Sequence, residues 1–471
     1  MESSASAKQP LKLNYKRTML IGFAFFGILL LWQVYDSWCP TLLTQLFKNS
    51  FGVTDEKQVQ YLVGVMMAID NLAALILLPI FGRISDKTRT PIGKRMPYIL
   101  VGTAVCAVAF PFIPLFYHWN NVAGVIAMMF IVVVFAMMYR NPAVSLMPDV
   151  TPKPLRSKAN GIINIMGYIG GAFATVLGIF FVLSDYLGLT DKHPNQVGAL
   201  WAVEMPFLIA SLLMVISAAV LFYTVRENEL AAKLKEEMER GEEEAEVADK
   251  VSEDAPISKA NKTMLLLILG AEFFWFMADN GIGTFMGNYA VYFLGASSSS
   301  NMINTIVGGV GSVIGFAIGG LIASKIGRKW TLFSGLGLSL IAYIVWIGIT
   351  FGVGGLQGSG WQWWIFIIWF VKGFGMSLVH VNSYPMVVEL CPNSRIGRYT
   401  GYYYAASMAA QTITPIALGS LLLIPNMTWE YLPVYGAICL VFSALIFFFV
   451  KNVKTTKTTF KKGLEALDSD D

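Results

Sequence analysis

The chain has 471 residues, of which 55% are hydrophobic and 14% charged, and its mean hydropathy is +0.59. Soluble proteins carry about a quarter charged residues, so this composition excludes an ordinary soluble domain and favours an all-α integral membrane protein. The net charge of +4 comes from short basic loops, so no binding to nucleic acid is expected. The four cysteines are scattered and have no metal-binding spacing, so neither a metal nor another cofactor is expected.

Twelve apolar runs are long enough to cross a lipid bilayer, whose hydrocarbon core takes about 20 helical residues. Their predicted limits are 18–47, 58–81, 97–117, 122–148, 159–183, 200–224, 263–294, 301–323, 330–352, 361–388, 398–423 and 431–450. The first run is too long for the apolar part of a cleavable signal peptide. The pattern predicts twelve transmembrane helices in two pseudo-symmetric six-helix bundles. The predicted divisions are a tail 1–17, a bundle 18–224, a charged linker 225–262, a bundle 263–450 and a tail 451–471.

Basic residues indicate the orientation, because Lys and Arg are enriched in cytoplasmic loops. If the N-terminus is cytoplasmic, 29 of the 34 Lys and Arg residues fall in cytoplasmic segments, and the outer loops hold only Lys48, Lys57 and Lys192. We therefore expect a multi-pass protein of the plasma membrane with both termini in the cytoplasm. The linker 225–262 mixes Glu with Lys and has no evident apolar face, which favours a solvated helix or disordered linker over a regulatory site.

Two sequence elements occur in both halves of the chain. At an offset of 240 residues an acid, a proline and a glycine coincide: Asp149 with Glu389, Pro152 with Pro392 and Gly161 with Gly401. Upstream, Gly82-x3-Asp86-Lys87-x5-Gly93-Lys94-Arg95 parallels Gly320-x3-Ser324-Lys325-x-Gly327-Arg328-Lys329. A duplicated set of membrane helices is typical of transporters in which one half rocks against the other.

Several ionisable residues lie inside the apolar runs, where a charge is costly and commonly faces a cavity or a partner. They are Asp36, Asp70, Arg140, Glu204, Glu272, Asp279, Lys372 and His380. Because Arg140 cannot lose its proton, it needs a carboxylate, and Asp36 or Asp70 is the expected partner. These three are the predicted proton-coupling residues. The alternative is that Arg140 and its carboxylate form a static buried ion pair with no role in transport. We expect Glu204 and Lys372 to be structural, since Lys372 can extend towards the membrane surface.

The first span combines aromatic, amide and carboxylate side chains near its middle, a mixture that suits a sugar. Aromatic faces cover the C–H faces of a pyranose, and polar groups bind its hydroxyls. Packing of the aromatic residues between helices is the alternative, and Glu272 could be either a second proton site or a packing carboxylate. The predicted substrate contacts are Trp32, Gln33, Tyr35, Asn71, Asn164, Glu272, Asp279, Asn280, His380 and Asn382.

The segment from Gly82 to Arg95 resembles the loop between the second and third helices of the major facilitator superfamily, G-x-x-x-D-[RK]-x-G-[RK]-[RK]. The resemblance implies a cytoplasmic gate in which Gly82 lets the eleventh helix approach and Asp86 caps the N-terminus of that helix. It further implies that the acid–arginine elements 149–156 and 389–395 form salt bridges between the halves in the outward-open state and break them in the inward-open state. Ser324 replaces the acid in the second copy, so that gate is expected to be weaker. The predicted gate residues are Gly82, Arg83, Asp86, Lys87, Arg95, Asp149, Arg156, Arg328, Glu389 and Arg395, and anchoring charges without a gate function are the alternative.

A longer pattern narrows the resemblance. Ser85-Asp-Lys-Thr-Arg-Thr-x2-Gly93-Lys94-x2-Pro97 and Arg140-Asn-Pro-Ala-x3-Met-Pro-Asp149 are similar to the glycoside–pentoside–hexuronide and sucrose/maltose (solute carrier 45-like) branch. This similarity implies symport of a disaccharide such as sucrose or maltose with a cation. Melibiose-type carriers hold sodium with acids in the last two turns of helix two, where this chain has Leu77-Leu78-Pro79-Ile80-Phe81. A proton is therefore favoured over sodium.

Other functions stay open at this stage. A sodium-coupled glycoside symporter is one, and a proton-coupled antiporter that exports drugs or metabolites is another, although the antiporter predicts an apolar cavity. A nutrient sensor or a membrane enzyme is disfavoured, because the sequence has no nucleophile–base pair, metal cluster or signalling domain. No enzyme activity is expected.

Overall fold

The computed structural model describes residues 11–189, 200–249, 259–352, 355–390 and 396–451, and regular structure in these residues is entirely helical. The first bundle contains α1 (Tyr15–Phe51), α2 (Gln60–Lys87), α3 (Met96–Ala109), α4 (Phe112–His118), α5 (Val122–Asp149), α6 (Arg156–Phe180), α7 (Leu183–Tyr186) and α8 (Leu200–Thr224). The linker forms α9 (Glu227–Lys233) and α10 (Lys235–Asp249). The second bundle contains α11 (Lys259–Asn288), α12 (Ser298–Ile326), α13 (Arg328–Gly352), α14 (Trp363–Glu389), α15 (Ile396–Leu421) and α16 (Leu432–Phe448).

The predicted membrane fold is confirmed. Among the described residues, eleven helical stretches are long and apolar enough to cross a membrane. The remaining predicted span corresponds to α15, which has 26 residues and is rich in Tyr, Thr and other polar side chains. The third predicted span is divided between α3 and α4 around Phe110-Pro111, where proline lacks the N–H that a continuous helix needs.

Each bundle has its own apolar core. In the first, the rings of Phe110 and Phe207 lie 4.7 Å apart between their centroids. In the second, the fully buried Trp346 packs edge-on against Tyr289 at 5.3 Å and donates its indole N–H to the tyrosine hydroxyl. Small residues permit close helix contacts where lipid supplies no hydrophobic force between helices, and a side chain at Gly311 would collide with the backbone of Phe370.

The two bundles meet closely at one end of the molecule. A side chain at Gly64 of α2 would collide with the carbonyl of Pro415 in α15, and one at Gly419 would collide with the carbonyl of Gln60. We call this end, which carries loop 52–59, the outer end, after the orientation that the basic residues predict. The end that carries loop 88–95 is the inner end. The close contacts show that the outer end is shut in this structure.

The linker differs from the interpretation drawn from the sequence. Leu234 is buried, and Leu230 and Met238 are partly buried against the core of the first bundle. Their spacing of four residues places them on one helical face. The exposed face carries the acidic side chains Glu236, Glu237, Glu239, Glu242 and Glu243. The described part of the linker is therefore docked on the first bundle, and three apolar residues among many charges were too few to reveal this face.

Candidate functional site

A central cavity of about 730 Å³ lies between the two bundles. Helices α1, α2 and α5 line it from the first bundle, and α11, α12, α14 and α15 line it from the second. Its volume falls within the range of roughly 300–1,000 Å³ that is usual for small-molecule pockets.

The predicted proton-coupling residues Asp36, Asp70 and Arg140 all line the cavity on the side of the first bundle. The carboxylate of Asp70 accepts hydrogen bonds from the backbone N–H and the side-chain amide of Asn71, at 2.7 and 3.0 Å. Arg140 acts on Asp70 electrostatically, without an ion pair within 4.0 Å among the described residues. Asp36 is exposed to the cavity, and the charge that acts on it is the like charge of Asp70. In the part of the chain that the structure describes, Asp36 therefore has no basic partner.

An ion pair occupies the opposite wall of the cavity. The ammonium of Lys372 bonds to the carboxylate of Asp279 and lies 5.4 Å from the ring centroid of Trp369. His380 is close enough to act on Asp279, and its ring packs against Phe276 at 5.3 Å. Lys372 is mostly buried and turns into the cavity rather than towards the membrane surface, so the expectation that it extends outwards is wrong.

The structure brings together six of the ten predicted substrate contacts. Those that line the cavity are Trp32, Gln33, Asn71, Asp279, Asn280 and His380. Those that do not are Tyr35, Asn164, Glu272 and Asn382, all of them buried outside its lining. Tyr35 lies on the face of α1 opposite the cavity, and the amide of Asn382 donates at 2.9 Å to the carbonyl of Leu378 in its own helix.

A polar cluster that the sequence did not single out seals the cavity at the outer end. Asn288, at the end of α11, accepts from the hydroxyl of Thr41 at 3.0 Å. Its amide donates to the hydroxyl of Thr44 at 3.0 Å and to the amide oxygen of Gln60 at 3.1 Å. All four side chains are buried, and Thr41 also lines the cavity. We call this group the outer seal. Its members are ordinary polar residues near helix ends, and no sequence pattern marks them.

At the inner end, Arg95 is the centre of an ion-pair network in the first bundle. Its guanidinium contacts Asp86 at 2.5 Å and Asp149 at 2.8 Å, and Lys94 reaches Asp149 at 3.0 Å. Burial by itself would lower the pKa of Arg95, but hydrogen bonds and charge from Asp149 and Asp86 outweigh it and raise that pKa above its ordinary value. Arg95 is therefore a permanent cation that joins the ends of α2, α3 and α5.

Asp149 and Arg156 bind separate partners in this structure. Arg156 does not pair with Asp149 but donates to the carbonyls of Thr151 and Pro148, at 3.1 and 3.0 Å. These bonds satisfy carbonyls at the end of α5, which lack helical partners. The described contacts of Asp149 and Arg156 all lie within the first bundle, so the salt bridges expected between the halves in the outward-open state stay a prediction.

The remaining gate residues are placed as follows. Glu389 pairs with Arg328 at 3.0 Å, whereas Arg395 lies outside the described residues. Gly82 faces Asn141 of α5 rather than the eleventh span, and Arg83 and Lys87 are exposed. The described contact of Asp86 is with Arg95, and residues 391–395, just before α15, lie outside the described chain. Capping of α15 by Asp86 therefore stays a prediction.

Comparison with known proteins gives a family match along the chain. The family model described as Major Facilitator Superfamily matches residues 2–175, 142–351 and 268–467. A POT family transporter in complex with 5-aminolevulinic acid is similar in structure, with a TM-score of 0.64, 13% identity and coverage of 92% of this chain and 96% of that one. The inward-open xylose transporter XylE from E. coli has a TM-score of 0.62, 15% identity and coverage of 97% and 99%. No curated protein gave a significant match.

Proposed function

Because the chain belongs to the Major Facilitator Superfamily, we propose that it is a secondary active transporter that carries a disaccharide such as sucrose or maltose together with a proton. We place it in the plasma membrane, and the distribution of Lys and Arg indicates that both termini are in the cytoplasm. The cavity holds the substrate, and it opens to the two sides of the membrane in turn.

The observation that carries this proposal is the charge balance of the cavity. Asp279 is neutralised by Lys372, and Arg140 acts on Asp70, but Asp36 has no basic partner among the described residues. The lining thus holds one carboxylate more than its Lys and Arg cations can balance. A bound proton removes this excess charge, which is costly in a membrane-embedded site. A cavity made neutral by one proton favours an uncharged substrate.

The uncharged part of the lining supports a sugar. Trp32, Phe276 and Trp369 supply aromatic faces, and Gln33 and Asn280 are among the amides that can bind hydroxyls. An exporter of apolar drugs would favour a lining with fewer polar groups. Two of the structural relatives are described as a xylose transporter and as proton-dependent oligopeptide transporters. These descriptions support a polar substrate and a proton here, although they belong to those proteins.

The conformation fits one step of the cycle. The outer seal joins Thr41, Thr44 and Gln60 of the first bundle to Asn288 of the second, so the cavity is shut on the outer side. The structure therefore corresponds to a state that is closed on the outer side. Uptake would require the outer seal to break and the inner ends of the bundles to meet.

The test is uptake of labelled sucrose and maltose into proteoliposomes, with a labelled dipeptide as a comparison substrate. We expect sugar accumulation to follow an inward proton gradient and to stop when that gradient is collapsed. Asp36→Asn should abolish accumulation yet retain sugar exchange between equal pools, and Asp55→Asn, at an outer-loop acid paired with Lys57, is the matched control.

Three results would contradict the proposal. Accumulation that follows sodium without consuming protons would exclude proton coupling. Uptake of the dipeptide without either sugar would exclude the substrate. If Asp36→Asn and Asp70→Asn both accumulate sugar at the wild-type level, the proton does not bind at this pair.

A further inference from the structure

Glu227 is a buried carboxylate outside the cavity and outside the predicted gate. It begins α9, directly after the last membrane helix of the first bundle, and is only 4% exposed. Its oxygens accept hydrogen bonds from the backbone N–H groups of Lys94, Arg95 and Met96, at 2.9, 3.0 and 3.1 Å. These N–H groups open α3 and lack helical partners, so an anion there is favourable.

The loop that Glu227 holds is shaped to receive it. Gly93 has a φ of +120°, and a Cβ at this position would collide with the carboxylate of Glu227. The neighbouring Asn228 donates to the carbonyls of Thr90 and Pro91, both at 2.9 Å. Two side chains of the linker therefore bind the backbone of loop 88–95 on both sides of its turn.

The same linker also contacts the second inner loop of the first bundle. Gly241 of α10 packs so closely on Pro152 that a side chain there would collide with it. Between these two contacts, Leu234 is buried against the bundle and Met238 is partly buried. Helices α9 and α10 thus run from loop 88–95 to loop 150–155, the two loops that flank the Arg95 network.

We propose that Glu227 is a positioning residue of the inner gate and that α9–α10 form a strap that fixes the two inner loops of the first bundle. Glu227 holds the backbone of residues 94–96, and Arg95 can then reach Asp86 and Asp149 at once. The inference rests on the proposed alternating access. A loop that is already in place docks against the second bundle at lower cost when the inner end closes. Loss of Glu227 should therefore favour the inward-facing state.

The experiment measures the distance between spin labels on Asn49 and Gln357, two exposed residues at the outer ends of the two bundles. It uses the full-length protein in lipid nanodiscs, without substrate. In Glu227→Ala, the ratio of outer-closed to outer-open molecules should rise by roughly 2- to 30-fold, the range that corresponds to the loss of a helix N-terminal cap. Glu227→Gln keeps one acceptor oxygen and should restore part of the wild-type ratio.

Glu229→Ala is the matched control, because Glu229 lies in the same helix but is exposed and pairs only with Arg226 in the described contacts. We expect it to leave the ratio unchanged. If Glu227→Ala does not fold, Asn228→Ala replaces it, with a smaller rise in the same direction. Equal ratios in the Glu227 and Glu229 variants would overturn the positioning role. Since the readout needs no substrate, this result is distinct from a failure to carry sugar.

Discussion

Replacing Asn288 by alanine should release the outer seal. In the outer-closed structure this one side chain makes three hydrogen bonds across the interface between the bundles. When the outer end opens, Thr41, Thr44, Gln60 and Asn288 separate, and water can replace each lost bond. The substitution therefore removes stabilisation from the outer-closed state alone.

The size of the effect follows from the number of bonds. A neutral hydrogen bond contributes about 0.5–1.5 kcal/mol net, so three contribute about 1.5–4.5 kcal/mol. Since 1.4 kcal/mol is a factor of ten, the ratio of outer-open to outer-closed molecules should rise by roughly 10- to 1,600-fold. Gln60 keeps its bonds to Thr44 and to the carbonyl of Glu56, so the rest of the cluster stays partly satisfied.

The assay is the distance between spin labels at the outer end, compared with the rate of labelling of a cysteine introduced in the cavity. Ser50→Ala serves as control, because it removes a hydrogen bond to Asn120 at the same end but within one bundle. A ratio in Asn288→Ala within about twofold of wild type would refute the reasoning, since even one lost hydrogen bond should exceed that limit.

Two further predictions concern the charged groups. Lys372→Gln should destabilise the protein by about 1–3 kcal/mol, less than for a fully buried pair because a third of the Asp279 side chain is exposed. The added change Asp279→Asn should restore most of the melting temperature, and a double variant no more stable than the single one would contradict the pairing. Asp149→Asn should lower the melting temperature more than Asp86→Asn, because the Asp149 side chain is 23% exposed and binds two cations while that of Asp86 is 60% exposed. Equal shifts would argue against this ranking.

The membrane fold could be predicted from the sequence, because it depends only on the length and apolarity of the hydrophobic runs. The break between α3 and α4 was also foreseeable in principle, since Pro111 and Pro114 lie in that run. The docking of the linker on the first bundle could not be predicted from the sequence. Its apolar face has few residues, and only the loops of the first bundle supply the surface it covers.

Part of the cavity lining could be predicted from the sequence, because a charged residue inside a membrane span commonly faces a cavity or a partner. Asp36, Asp70, Arg140 and Asp279 were found in this way. Tyr35 was predicted to contact the substrate but lies off the cavity lining, and helix geometry could have indicated this. The lining positions Leu29, Trp32, Gln33, Asp36, Ser37 and Pro40 recur at three- and four-residue steps, and Tyr35 is off that face.

The partners across the interface could not be predicted, because a single sequence does not specify which helices meet. Lys372 and Asp279 are 93 positions apart, and Thr41 and Asn288 are 247 apart. A lysine in an apolar run is compatible with extension to the membrane surface or with a buried partner, and the packing of α14 against α11 decides between them. Asparagine and threonine near helix ends carry even less information.

The outer and inner ends of the molecule are stabilised by different kinds of interaction. The outer seal consists of neutral side chains that are fully buried, whereas the network around Arg95 consists of charges, one of which, on Asp86, is largely exposed. Salt screens exposed charges and has little effect on buried neutral hydrogen bonds. Raising the ionic strength should therefore weaken the Asp86 contact and leave the outer seal intact. Because Glu227 holds the backbone beneath Arg95 through buried hydrogen bonds, the strap preserves the shape of the inner loop even when that exposed contact is lost.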